Sequence, residues 1–173
     1  MTLKDSGDRR EFVTGAVRDM GDAKGRPDLL PLDVCGYLLK VAETFTPSEK
    51  MSILSEFDAF IKDGKYEHFT NIILLWMIEK YGECSKKALA NMFLELALHF
   101  EDGAKKYGED NWRKGIPISS YLNSAMRHYF KTVGEWDDEP HERAFMWNVV
   151  CGIWTIIKMP QMNDVAHHKV EKE

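Results

Sequence analysis

Apolar residues recur at helical spacing along most of the chain. The longest such pattern starts at Ala88, where Leu, Met, Phe and Ala residues return every three or four positions until Phe100. Gly108 then offers the left-handed conformation that commonly ends a helix. The pattern therefore predicts a helix that is capped by Ser85 and ends near Tyr107.

Further helices are predicted from the same periodicity and from capping residues. Thr46, Pro47 and Glu49 have the spacing of a capping box with proline at the first helical position, which predicts a helix start there. The nearly continuous apolar run after Tyr66 has a strand-like composition, but its length favours a buried helix. The predicted helices cover about 32–45, 46–63, 66–81, 85–107 and 118–133, followed by a last helix that ends near Lys158. The fold class is therefore all-α.

Three parts of the chain differ in character. Residues 1–31 contain few large apolar side chains but several glycines and prolines, so we expect an irregular arm that is part of a single domain. Residues 32–158 are expected to form the helical domain. Residues 159–173 are expected to form a polar, disordered tail.

The composition limits the classes of function. Hydrophobic residues make up 44% of the chain, which is sufficient for a core. The formal net charge of -5 argues against broad attraction to nucleic acids or acidic lipid surfaces, so a polyanionic ligand would need a local basic cluster. Three cysteines without CxxC spacing suggest neither a zinc site nor disulfides, and no apolar run approaches the roughly 18 residues of a membrane span. We therefore expect a cytoplasmic protein without nucleic-acid or membrane partners.

Glu101 lies on the apolar side of the long helix, since it follows Leu94 by seven residues and Ala97 by four. A carboxylate in this position needs a partner. Either it forms a structural ion pair with Lys105, one turn later, or it has a chemical role.

Other charged groups are open to two interpretations. An acidic run at 135–142 precedes the last helix, where the helix dipole alone could explain it. Arg127 and Lys131 repeat on one face of the preceding helix, and a solvated face explains them equally well. Lys24 and Arg26 flank a glycine and could bind an anion or remain solvated. Motifs with diagnostic loops, such as GxxxxGK(S/T), GxGxxG, GxSxG and HExxH, do not occur.

Five motifs, taken in order, resemble those of a known family. They are Gly15-Ala-Val-Arg-Asp19, Lys24-Gly-Arg26 with Asp28-Leu-Leu-Pro31, Phe100-Glu-Asp-Gly-Ala-Lys-Lys-Tyr-Gly108 with Asn111-Trp112, Ser124-Ala-Met-Arg-His128, and Asp138-Glu-Pro-His141 with Trp147-Asn148. Together they look like the phage dATP/dGTP diphosphohydrolases, a family similar to the MazG-type all-α nucleoside triphosphate pyrophosphohydrolases. The resemblance covers residues 11–31 and 95–154, and it implies a MazG-like bundle with a helical insertion at about 46–90. The chain departs from the MazG pattern, in which EExxE on one helix faces ExxD on another.

The resemblance implies hydrolysis of dGTP or dATP to the monophosphate and pyrophosphate, with Mg²⁺ or Mn²⁺ as cofactor. It also implies a homo-oligomer, in the host cytoplasm if a phage encodes the protein. The implied metal ligands are Glu101, Asp138, Glu139, His141 and Glu142. The implied catalytic residues are Glu101, Lys105, Arg127 and His128, and the implied substrate contacts are Lys24, Arg26, Asp28, Lys106, Tyr107, Asn111, Trp112 and Asn148. The alternatives are a non-catalytic helical adaptor or nucleotide-binding module, and a hydrolase of another nucleotide.

Overall fold

The computed structural model describes residues 8–19, 21 and 23–165. These residues form a short hairpin and six α-helices, which confirms the predicted all-α class. The strands are β1 (Arg9–Glu11) and β2 (Val17–Asp19), and the helices are α1 (Leu32–Val41), α2 (Ile53–Asp63), α3 (Tyr66–Tyr81), α4 (Lys86–Tyr107), α5 (Ile118–Val133) and α6 (His141–Lys158). Within these described ranges, no helix is both long enough and apolar enough to span a membrane.

Helix α6 forms the centre of the core because apolar residues surround it on nearly every side. Its Phe145, Val149 and Ile153 side chains are fully buried. It packs most extensively against α5 and α3 and also contacts α4 and α1. A helix that is apolar all round is expected in the interior of a bundle.

Helix α3 is the second buried helix, and the helical interpretation of residues 66–81 is confirmed. The Phe69 ring stacks on Phe60 of α2, with 4.2 Å between the ring centroids. Phe69 also faces Gly152 of α6, where an added Cβ would lie 2.4 Å from a carbon of the Phe69 ring. A glycine in α6 therefore allows the two central helices to approach this closely.

Two helix boundaries differ from the predictions. Helix α1 ends at Val41 and a turn follows it, whereas the predicted helix extended to about 45. Helix α2 begins at Ile53, so the predicted helix start at Thr46 is wrong.

A second capping box explains the later start of α2. The Ser52 hydroxyl accepts a hydrogen bond from Ser55 N at 3.1 Å, and the Ser55 hydroxyl accepts one from Ser52 N at 2.8 Å. This box directly precedes Ile53, which is fully buried, whereas residues 47–50 bury no side chain. The capping boxes at Thr46 and Ser52 have similar local chemistry. The helix starts after Ser52 because only the residues that follow it are buried in the core.

The N-terminal arm contains regular structure that the sequence did not predict. Strands β1 and β2 pair antiparallel, with Arg9 opposite Asp19, Arg10 opposite Arg18, and Glu11 opposite Val17. Gly15 closes the turn between them with a φ of +77°, a conformation that suits glycine. Strands of three residues that are largely exposed have no clear alternation of apolar and polar positions, so periodicity does not reveal them.

Part of the C-terminal tail is ordered, so the prediction of disorder is wrong for residues 159–165; residues 166–173 lie outside the described residues. The Asp164 carboxylate accepts hydrogen bonds from Ser119 N at 2.8 Å and from the Ser119 hydroxyl at 2.6 Å. Ser119 lies in the first turn of α5, where the N-cap residue Pro117 provides no side-chain cap. Asp164 therefore supplies the carboxylate that a helix N-terminus favours. The division of the chain into arm, single domain and tail stays a prediction.

Candidate functional site

Two histidines and a glutamate converge where α5 meets the start of α6. His128 belongs to α5, His141 is the first residue of α6, and Glu139 belongs to the loop between them. The two Nδ1 atoms are 3.1 Å apart, and Glu139 Oε1 lies 3.6 Å from Nδ1 of His128 and 3.5 Å from Nδ1 of His141. Both histidines are buried, whereas Glu139 is half exposed. We name this group the His–Glu cluster; among the residues that the structure describes, no other group of three His, Cys, Asp or Glu residues brings its ligand atoms as close.

Asp138 orients one histidine of the cluster. Its Oδ1 lies 2.8 Å from His141 Nε2, and its Oδ2 accepts a hydrogen bond from Lys131 Nζ at 2.7 Å. Lys131, together with His141, lowers the pKa of Asp138 to about 2. The hydrogen bond to an ionised Asp138 places a proton on Nε2 of His141, and in the tautomer with its proton on Nε2 the lone pair of Nδ1 points toward the cluster. Burial lowers the pKa of His128, which favours the neutral imidazole of that residue.

One face of α4 lies within reach of the charge of Glu139. His99, Asp102 and Lys106 share this face because they are three, four and seven residues apart. Burial lowers the pKa of His99, although the charges of Asp102 and Glu139 act in the opposite direction. The Tyr107 hydroxyl raises the pKa of Lys106, and Glu139 adds to this shift from a greater distance. The negative charge of Glu139 therefore reaches this part of α4.

An aromatic pocket of about 410 Å³ lies beside this face. Its lining includes His99, Phe100, Tyr107, Asn111, Trp112 and Trp147. Trp112 is buried, and its Nε1–H has no hydrogen-bond partner among the described atoms. His99 belongs to the lining of this pocket, and the charge of Glu139 acts on it, so the pocket lies on the side of α4 that senses the His–Glu cluster. Volume and lining are typical of a site for a flat aromatic group.

Glu101 holds the N-terminal arm against α4. Its buried carboxylate accepts hydrogen bonds from Ala23 N at 3.0 Å, from Gly25 N at 2.9 Å and from Lys105 Nζ at 2.6 Å. The hydrogen bond from Lys105 and those from the arm amides lower the pKa of Glu101, so the carboxylate is ionised at neutral pH. Gly25 fits tightly, since an added Cβ would lie 3.1 Å from the backbone N of Leu98. Glu101 is therefore engaged in attaching the arm.

The arm and α4 enclose a second cavity of about 1000 Å³, which we name the arm cleft. Its lining includes Arg10, Arg18, Lys24, Arg26, Glu101 and Lys105. Glu101 and Lys105 are one turn apart and share a face of α4. At about 100° per residue, this face differs from the one that carries His99 and Lys106. The arm cleft and the His–Glu cluster therefore lie against different faces of the same helix.

A family model described as "dATP/dGTP diphosphohydrolase, N-terminal" matches residues 68–165, which is more than half of the chain. The chain belongs to this family. No curated protein and no solved structure matches it. The match includes most of α3 and all of α4, α5 and α6, and with them the His–Glu cluster and most of the lining of the aromatic pocket. The relation to MazG proteins stays a resemblance.

The structure divides the predicted site residues of this diphosphohydrolase family member into separate groups. His128, Glu139 and His141 lie together in the His–Glu cluster, and Tyr107, Asn111 and Trp112 line the aromatic pocket beside Lys106. Lys24, Arg26, Asp28 and Lys105 line the arm cleft with Glu101. The expected convergence of Glu101 with the cluster around 138–142 is therefore not found in the described part of the chain. The physical reason is that Glu101 projects from a different face of α4 than His99 and Lys106, which lie on the side near Glu139.

Two of the predicted metal ligands have other partners. Glu142 pairs with Lys80, and Asp138 contacts Lys131 and His141. Neither carboxylate belongs to the His–Glu cluster.

Two further predicted residues make local contacts. Asn148 is buried, and its Nδ2 donates to the carbonyl of Ala144, one turn earlier, at 2.7 Å. Arg127 is exposed, and its guanidinium donates to the Ser124 hydroxyl at 3.1 Å. The roles predicted for both residues stay predictions.

Several residues of these regions were not predicted as site residues. They are His99 and Trp147 in the aromatic pocket, and Arg10 and Arg18 in the arm cleft. The spacing of His99 and Lys106 on one helix face was a usable signal for the first region. For the arginines there was no signal, because their common orientation depends on a hairpin that the sequence does not reveal.

Proposed function

We propose that this protein hydrolyses dATP or dGTP to the monophosphate and pyrophosphate with the help of a divalent cation. The proposal rests on one observation above all, namely that the region matched by the family contains both the His–Glu cluster and most of an aromatic pocket, whose His99 senses the charge of Glu139. In the proposed reaction, water attacks the α-phosphorus and the bond to the oxygen that bridges to the β-phosphorus breaks.

The donor atoms of the His–Glu cluster fit a cation. Ligands bonded to one cation at about 2.0–2.2 Å lie roughly 3 Å apart, and the three atoms here are separated by 3.1 to 3.6 Å. Two imidazoles and one carboxylate favour Mn²⁺ or another transition metal over Mg²⁺, which prefers oxygen ligands. When bound, such a cation neutralises phosphate charge and makes a coordinated water more acidic. Asp138 supports this role because it fixes the orientation of His141.

Lys106 and the aromatic pocket would bind the two ends of the nucleotide. Lys106 lies on the α4 face near Glu139, where its charge offsets that of the phosphates. The rings of Trp112 and Trp147 offer apolar surface to a purine. Asn111 adds donor and acceptor groups to the same pocket. The catalytic roles predicted for Lys105 and Arg127 stay predictions.

Chromatography of the reaction products tests the proposal. The purified protein is incubated with each common nucleoside triphosphate and Mn²⁺ or Mg²⁺, and a parallel sample contains excess chelator. We expect dGMP or dAMP together with pyrophosphate, more turnover with Mn²⁺ than with Mg²⁺, and none with chelator. Diphosphate with inorganic phosphate, or full turnover in chelator, would contradict the proposal. Absence of turnover with every nucleotide would favour a non-catalytic helical adaptor.

A further inference from the structure

The arm cleft contains more positive charge than its own carboxylates neutralise. Asp28 and Glu109 both accept hydrogen bonds from the Arg26 guanidinium, at 2.6 to 3.0 Å. Glu101 is engaged by Lys105 and by the amides of the arm. Asp19 also lines the cleft, and its carboxylate lies 4.0 Å from Arg9 Nε. Each of the four carboxylates of this lining therefore already has a cationic partner.

Three further cations line the same cleft, namely Arg10, Arg18 and Lys24. Within the described part of the chain, none of them forms an ion pair; Arg10 lies over the ring of Phe12, with 5.2 Å between Cζ and the ring centroid. The cleft thus has a surplus of positive charge in a protein whose net charge is -5. Such a local surplus attracts an anionic ligand.

The hairpin places two of these cations directly opposite each other. Arg10 and Arg18 are cross-strand partners, and directly opposed residues of antiparallel strands share a face. Like charges in this arrangement are destabilising unless an anion lies between them. In the neighbouring cross-strand pair the two charges are opposite, and Arg9 Nε lies 4.0 Å from a carboxylate oxygen of Asp19.

The backbone that carries Lys24 is held in place from both sides. Ala23 N and Gly25 N donate to the Glu101 carboxylate, and Arg26 N donates to the carbonyl of Ala97 at 3.0 Å. Lys24 lies between these contacts, so its position on the cleft is fixed by α4. A cation presented on a fixed backbone binds an anion without a large ordering cost.

We propose that the arm cleft is a binding site for the phosphate groups of a polyphosphate, distinct from the His–Glu cluster. Arg10 and Arg18 bind from the hairpin, and Lys24 binds from the segment that Glu101 holds. Two sources supply such groups: the phosphate chain of the nucleotide that is hydrolysed, or a separate polyphosphate ligand. Binding in the cleft does not depend on the proposed hydrolysis.

Calorimetric titration with inorganic tripolyphosphate tests binding in the presence of chelator, so that no cation can act at the His–Glu cluster. We expect the wild-type protein to bind, and Arg10→Gln and Arg18→Gln each to raise the Kd roughly tenfold to a hundredfold, as expected for the loss of a charge-assisted hydrogen bond. Arg9→Gln is the matched control, because it removes the same charge from the same strand on the other face. We expect its Kd to stay within about twofold of wild type.

Two results would overturn the proposal. One is the absence of tripolyphosphate binding by the wild-type protein. The other is an equal loss of affinity in Arg9→Gln and Arg18→Gln, which would indicate attraction to overall charge and not a site.

Steady-state kinetics of the wild-type protein and of Arg18→Gln distinguish the two sources. A raised KM for dGTP with unchanged kcat indicates that the cleft binds the phosphate chain of the substrate. An unchanged KM, together with lost tripolyphosphate binding, indicates a separate polyphosphate ligand. If the wild-type protein has no turnover, the proposed hydrolysis fails while the titration still decides whether the cleft binds phosphate groups.

Discussion

At the scale of single residues, His68 shows how the fold uses a titratable group. His68 Nδ1 lies 2.8 Å from Glu56 Oε2, and its Nε2 lies 3.2 Å from Asp63 Oδ1. Asn71 donates a further hydrogen bond to Glu56, which is buried. Burial opposes the charged form of His68, but the hydrogen bonds to Glu56 and Asp63 outweigh it and raise the pKa of His68. His68 therefore links Glu56 and Asp63 of α2 to the start of α3.

We predict that this contact makes stability depend on pH. Because the pKa of His68 is raised in the folded state, its contribution is fully present below about pH 6.5, the usual value for an unfolded chain, and is lost as the pH rises through the higher folded value. His68→Gln should lower the free energy of unfolding by roughly 1–3 kcal/mol at acidic pH and by less at alkaline pH. Urea unfolding of both proteins across this range measures the difference. An equal difference at every pH would contradict the role of the charge.

Gly25 provides a second prediction at this scale. It has a φ of +81°, and an added Cβ would meet the backbone of α4 at 3.1 Å. Gly25→Ala should therefore loosen the arm by roughly 1–3 kcal/mol and speed tryptic cleavage there about fivefold to a hundredfold. Gly21→Ala is the control, because an added Cβ at Gly21 meets nothing within 4 Å. Equal cleavage of the two variants would show that the close approach to α4 does not hold the arm.

The sequence singled out many residues that line these regions but not their grouping, and their roles stay predictions. Glu101 was recognised as a carboxylate on an apolar helix side, and Glu139 and His141 as part of an acidic run. Whether Glu101 meets those groups depends on the rotation of α4 relative to α5 and α6, which local spacing does not determine. The backbone amides of Ala23 and Gly25 were even less predictable, because amides carry no sequence signal.

At the scale of elements, glycines and apolar periodicity predicted the helices well. Gly108 follows α4 as expected, Gly82 follows α3, and α3 was correctly interpreted as a helix from its length. The errors arose where local signals competed or were too short. Thr46 and Ser52 both offer capping chemistry, and only burial of the following residues distinguishes them. The hairpin of the arm is too short for a periodic pattern.

The contact between α3 and α6 is testable at Gly152. Phe69 is fully buried and stacked on Phe60, so its ring has little room to move away from an added Cβ. Gly152→Ala should lower the free energy of unfolding by roughly 1–3 kcal/mol. Gly36→Ala in α1 is the control, since nothing lies within 4 Å of its added Cβ, and it should raise stability by up to about 1 kcal/mol. Similar midpoints for both variants in urea unfolding would contradict the close helix approach.

At the scale of the whole molecule, the homo-oligomer stays a prediction. Trp76 lies in the apolar run of α3 and is buried against Phe145 within the chain, with 4.9 Å between ring centroids. Phe130, Val133 and Trp136 are exposed at the end of α5 and beyond it. We expect light scattering to give a mass that is a multiple of the 20.0 kDa chain, and a monomer at micromolar concentration would refute this.

The metal centre is the central claim, and the Mn²⁺ dependence of dGTP hydrolysis tests it most directly. Turnover is measured against Mn²⁺ concentration for the wild-type protein, Glu139→Gln and Glu101→Gln, with the thermal midpoint of each. We predict that Glu139→Gln lowers turnover by roughly two to four orders of magnitude with little change in stability. Glu101→Gln should keep the Mn²⁺ dependence of the wild type, because Glu101 holds the arm. A fully active Glu139→Gln protein, or loss of Mn²⁺ dependence in Glu101→Gln alone, would contradict the account. Such a result would favour Glu101 as the metal ligand.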